Sequence, residues 1–134
     1  MIRIRFSKRC GVEVEGSGEE LRGIRDSILA IVHAGDGSWE LVGPNSGSPA
    51  PYDSWLTRLV VAIGTGPACA TVTADTEVRV TGDPESLGAF ASFFDPPENA
   101  EAGWHSHHEH YPGNRWVAVN SQPVVVALRS STGE

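Results

Sequence analysis

One half of this chain reads as a copy of the other, and that limits its possible folds more than any other feature. Val12, Val14, Gly16 and Leu21 fall on Val78, Val80, Gly82 and Leu87 at an offset of 66 residues. Past the helical stretch the offset becomes 65, which places Trp39 on Trp104 and Val60-Val61-Ala62 on Val125-Val126-Ala127. One deleted residue reconciles the whole length, and paired tryptophans in register are rare. The pattern predicts a single domain, 1–134, of the α+β class: two tandem ββαββ repeats, 1–66 and 67–130, with 131–134 as a tail. An antiparallel sheet, or two sheets related by a pseudo-twofold, would carry two helices packed on one face.

Periodicity supplies the elements of each repeat. Ile2, Ile4 and Phe6 alternate with Arg3 and Arg5, and Val12 and Val14 alternate with Glu13 and Glu15. Two half-buried strands joined at Lys8–Gly11 form a hairpin. Ser17-Gly18-Glu19-Glu20 has the form of a capping box. Leu21, Ile24, Ile28, Ile31 and Val32 then share one face of a helix, which Gly35 and Gly37 end. Strands are expected over 39–42 and 56–63, on either side of an exposed Gly/Pro/Ser-rich loop, 43–53. In the second half, strands over 69–74 and 77–80 precede a helix capped by Asp83, with Pro84 at its first position. Leu87, Phe90 and Phe94 share its inner face, and Asp95-Pro96-Pro97 stops it. A strand and turn carrying the histidines and an apolar strand over 124–128 complete the unit.

A chain of 134 residues can bury about two-thirds of its unfolded surface and needs no disulfide or metal to fold. Cys10 and Cys69 have no metal-ligand spacing and read as two reduced, half-buried thiols. No apolar run approaches the ~20 residues of a membrane span, and the alternating N-terminus is a strand, not a signal peptide. The expected location is the cytoplasm. Formal net charge is −7 and unevenly placed: residues 1–66 hold seven Lys/Arg against eight Asp/Glu, residues 67–134 three against nine. That balance argues against direct nucleic-acid or membrane binding and suits a basic protein partner. A monomer and a homodimer are equally compatible with it.

Residues 104–116, Trp-His-Ser-His-His-Glu-His-Tyr-Pro-Gly-Asn-Arg-Trp, hold four of the five histidines and two of the four tryptophans. On a strand, His105, His107 and Glu109 point one way, and Trp104, Ser106, His108 and His110 the other. Several readings of this stretch stay open. His105, His107 and Glu109 could ligate a divalent metal such as zinc, through two nitrogens and an oxygen and with a further ligand from elsewhere. His105, His107 and Tyr111 could perform acid–base catalysis, although no nucleophile motif accompanies them. His105, His107, Glu109, Tyr111, Arg115 and Trp116 could form a recognition surface, being rich in the residue types of interface hot spots. Alternatively, the 43–53 loop and the histidine turn could form the mouth of a small-molecule cavity lined by Trp39, Trp55 and Trp104. The plain structural reading makes Trp104 and Trp116 core anchors and leaves the histidines on a solvated face.

The series His105-x-His107-x-Glu109-x-Tyr111-Pro112-Gly113, Trp116-Val117-Ala118 and Ser121-x-Pro123-Val124-Val125-Val126 resembles the C-terminal signature of the immunity protein 32 family of bacterial polymorphic toxin systems. That signature reads His-x-His-x-Glu/Asp, two aromatics, Pro-Gly-His, an aromatic, then Ser-x-Pro before an apolar strand. Val78-x-Val80-x-Gly82-x-Pro84-Glu85-x-Leu87 is also similar, so the resemblance covers roughly 77–128. His110 stands where the first aromatic is usual, Asn114 where a histidine follows Pro-Gly, and Val119 where a proline is common. The resemblance implies an α+β, non-enzymatic immunity protein without a cofactor. It would bind a cognate protein toxin, a basic nuclease being one candidate, through His105, His107, Glu109, Tyr111, Arg115 and Trp116.

Overall fold

Two side chains start the two helices. In the computed structural model, which describes residues 1–74 and 76–129, the Ser17 side chain accepts the Glu20 N–H and the Glu20 side chain accepts the Ser17 N–H. This reciprocal cap opens α1, Gly18–Ala34, which closes on Gly35 in the left-handed conformation. The Asp83 side chain accepts the Ser86 N–H and opens α2, Pro84–Ala91, with the proline at its first turn. A 3₁₀ turn over Ser92–Phe94 continues it, so Leu87, Phe90 and Phe94 are all fully buried as their spacing predicts. The tail expected at 131–134 lies outside the described residues, as does Asp75.

The described residues form nine strands: β1 Arg3–Ser7, β2 Gly11–Gly16, β3 Ser38–Val42, β4 Ser54–Trp55, β5 Arg58–Ile63, β6 Cys69–Thr73, β7 Glu77–Gly82, β8 His105–His108 and β9 Val124–Leu128. They make two mixed sheets, ordered β4-β1-β2-β9-β8 and β3-β5-β7-β6. The class is α+β, as expected. Two features of the expected architecture need correction. Neither half closes on itself, because each sheet joins the hairpin of one half to the last two strands of the other. The sheets are also not wholly antiparallel, since β2 runs parallel to β9 and β7 parallel to β5. The cause is the same for both. After each helix the chain crosses to the other sheet, so the returning strand meets a hairpin of the opposite half.

The registers of the two sheets correspond at most positions. Ile4 faces Val14 and Ala70 faces Val80, each residue 66 from its counterpart. Val12 faces Val124 and Val78 faces Leu59, at the offsets of 66 and 65. The correspondence slips by two residues at the outer strands. Trp39 faces Val61, but it is Ser106 that faces the equivalent Val126, and Trp104 precedes β8. The tryptophans align in sequence and not in the fold.

One apolar core unites both sheets and both helices. It includes Ile4, Val12 and Val14, Leu59 and Val61, Val78 and Val80, Val124 and Val126, with Leu21, Ile24 and Ile28 of α1 and Leu87 and Phe90 of α2. Alternate residues of β1, β2, β8 and β9 reach it, which leaves Arg3, Arg5, Glu13, Glu15, His105 and His107 on the outer face of the five-stranded sheet. The helices pack against each other, and Arg22 of α1 donates to the Pro96 carbonyl at 2.8 Å. No helix among the described residues is long and apolar enough to cross a membrane.

Candidate functional site

The histidine stretch begins as an edge strand and then leaves its sheet. Among the described residues β8 pairs only with β9, and His105 and His107 are exposed while Ser106 and His108 turn inward. The expected alternation therefore holds over 105–108. The two exposed rings meet edge to face with centroids 4.9 Å apart. His105 Nδ1 lies 2.9 Å from the Gly103 carbonyl. A carbonyl can only accept, so Nδ1 carries the proton and Nε2 is the free acceptor. His107 Nδ1 lies 3.7 Å from a Glu109 oxygen.

Residues 109–123 cross to the other sheet and cover the β6 edge. The Ala68 N–H donates to the Trp116 carbonyl at 2.8 Å, and the Ala118 N–H donates to the Ala68 carbonyl at 2.9 Å. Farther along, the Gln122 N–H reaches the Ala70 carbonyl at 2.9 Å, and Ser121 Oγ accepts the Ala70 N–H at 2.9 Å. Gly82 makes room for this docking. A Cβ there would come within 2.9 Å of Ala68 Cα, so a side chain would push away the residue that holds Trp116 and Ala118. Within the loop, Asn114 donates from Nδ2 to the Glu109 carbonyl at 3.2 Å and accepts the Trp116 N–H at 3.0 Å. His110 Nδ1 donates to the Val117 carbonyl at 2.9 Å. Arg115 stacks over the Trp116 ring, its guanidinium carbon 4.4 Å from the centroid, and Tyr111 is 60% exposed.

His108 escaped the sequence reading. It is 1% exposed, its ring lies edge-on to Phe90 at 4.8 Å and Phe93 at 5.1 Å, and among the described residues neither ring nitrogen has a hydrogen-bond partner. Burial lowers its pKa from 6.5 to about 4, so it is neutral at pH 7. The period-two pattern did place it on the face opposite His105 and His107, with Trp104 and Ser106. What hid it was the density of exposed histidines on either side.

The remaining expectations for this stretch fare as follows. His105, His107 and Glu109 share a face, yet among the described residues no three His, Cys, Asp or Glu side chains are arranged to hold one ion. Glu109 stands behind the His107 ring beside Nδ1 and not across from it. Three hollows are formed elsewhere: about 490 Å³ between the start of α1 and residues 96–102, about 480 Å³ beside Trp39, and about 240 Å³ beside Trp55. None of the three is lined by His105, His107 or Tyr111. Trp39 and Trp55 line different ones of these, and Trp104 lines none of the three. The 43–53 loop leads into β4, at the far edge of the sheet from β8, four strand spacings or roughly 19 Å away. Trp104 is half-buried and packs against the core, Trp116 is half-buried outside that cluster, and of the two free cysteines Cys10 is exposed and Cys69 half-buried. No family model, curated protein or solved structure matches this chain.

Proposed function

We propose that this chain is a cytoplasmic immunity protein that neutralises a cognate bacterial toxin by binding it directly, without catalysis. The observation that carries the reading is the loop after β8. It holds Tyr111 out in solvent, stacks Arg115 on Trp116, and is braced from behind by Asn114, His110 and the β6 edge. Tyr, Trp and Arg on a stiff support are the groups that concentrate binding energy at interfaces, because little side-chain freedom is lost on contact. His105, His107 and Glu109 extend the patch along the sheet. The acidic second half favours a basic partner, a nuclease domain among them, by steering the encounter. Contact of ordinary size, about 1,600 Å² in total, would cover the patch and its rim. The resemblance over 77–128 points to the same role. Alanine at Tyr111 or Trp116 is expected to weaken the toxin complex by ~2 kcal/mol, roughly thirtyfold in Kd. Titration of each variant with the proposed cognate toxin, sought in the product of the adjacent gene, checks it, and unchanged affinity in both removes this surface from the account.

A further inference from the structure

The outer edge of β8 has a free row of backbone groups. The Leu128 N–H donates to the Trp104 carbonyl at 2.8 Å, which makes that pair hydrogen-bonded in the antiparallel ladder. The ladder alternates, so Ser106 and His108 also turn their backbone groups toward β9, and His105 and His107 turn theirs outward. Among the described residues no strand lies on that side. The same two residues carry the exposed imidazoles, and the His105 ring is held by a hydrogen bond from its Nδ1 as metal ligands are, with a carboxylate 3.7 Å from the Nδ1 of His107. His105 gives its Nδ1 proton to the Gly103 carbonyl, and the Glu109 carboxylate stands by His107 Nδ1. A carbonyl or carboxylate behind one ring nitrogen fixes the tautomer and leaves Nε2 to ligate. Two ligands are in place, and the described residues of one chain do not provide the rest.

We propose that His105 and His107 are half of a zinc site that a second copy of this chain completes. A copy laid antiparallel along β8, with Ser106 opposite Ser106, pairs His105 with the partner's His107 and His107 with the partner's His105. The outward backbone groups then form the hydrogen-bonded pairs that register requires. Cross-strand Cβ atoms sit ~5 Å apart and residues two apart on one strand ~6.7 Å apart, so four imidazoles surround one point on the outer face. Zinc suits them because it takes neutral imidazole nitrogen in tetrahedral geometry. Glu109 serves as an orienting carboxylate and not as a ligand. This inference stands apart from the toxin reading, since it needs only zinc and this chain.

The test is sedimentation velocity and elemental analysis on the full chain, stripped with chelator and then titrated with zinc chloride alone. The expected result is a monomer that becomes a dimer holding one zinc per two chains. H105A and H107A should each abolish both dimer and zinc uptake, while keeping the wild-type melting curve in chelator. H33A, which removes an exposed imidazole elsewhere, should behave as wild type. No uptake, zinc bound to a monomer, or a dimer that survives H105A and H107A would each overturn the proposal.

Discussion

β3 and β8 are outer strands at matching places in the two sheets, and they solve the same position differently. By register, Leu41 faces Leu59 where His108 faces Val124, and Trp39 faces Val61 where Ser106 faces Val126. β3 is apolar inside and imperfectly covered. Trp39 and Leu41 remain half-buried and, with the exposed Val42, line a shallow hollow beside α1. β8 is polar inside and tightly covered, with the 3₁₀ turn placing Phe93 over His108 and its carbonyl on Ser106 Oγ at 2.9 Å. The fold accepts a leucine at this position, so it does not demand His108. The contrast shows that polarity on the inner face of this edge is specific to β8, since the outer faces of both strands are polar, with Ser38 and Glu40 on β3 where His105 and His107 stand on β8.

The largest effect should come from uncovering His108. Phe90→Ala removes a fully buried ring that touches both Phe94 and His108. It is expected to cost about 3–5 kcal/mol in urea denaturation. A cost under about 1 kcal/mol would mean that β8 is no better covered than β3. The next effect is on pH dependence. His108 has a folded pKa near 4 against 6.5 unfolded, so the unfolded chain binds the proton more readily. Its share of stability is complete above pH 6.5 and is lost as pH falls toward 4, about 3 kcal/mol in all. Stability curves of wild type and H108L between those limits should converge with rising pH, and parallel curves would contradict the assignment. At pH 7 H108L should itself gain ~1–2 kcal/mol, because two unpaired buried nitrogens disappear. The reverse exchange on β3, Leu41→His, should be milder. At that half-buried site it should lose about 1 kcal/mol of burial and add little acid sensitivity.

Local signals in the sequence were faithful. Both caps, the hairpin and the inner faces of both helices follow from residue type and spacing, because each depends on contacts a few residues away. The pairing of halves was not legible in the same way. Valines in β2 and β7 specify buried strands, but their parallel partners are chosen by where the chain lands after each helix. At the site, alternation correctly separated His105 and His107 from His108. It did not reveal that His108 is enclosed without a polar partner among the described residues, which depends on Phe90 and Phe93, supplied by α2 and the 3₁₀ turn after it. The residues behind the family resemblance also divide in two. Ser121 and Pro123 hold backbone, through the Ala70 N–H and the Val12 N–H, whereas Tyr111 and Arg115 are exposed. Asn114, a departure from the usual pattern, bridges Glu109 and Trp116 and keeps the loop closed without a histidine.

The most direct test is a calorimetric titration of the proposed cognate toxin, sought in the product of the adjacent gene, against the wild-type chain, Y111A, W116A and a β3 variant, Val42→Ser. The account predicts a one-to-one complex by mass that Y111A or W116A weakens by roughly thirtyfold and V42S leaves unchanged. A complex sensitive to V42S and indifferent to both loop variants would place binding at the other edge and contradict it.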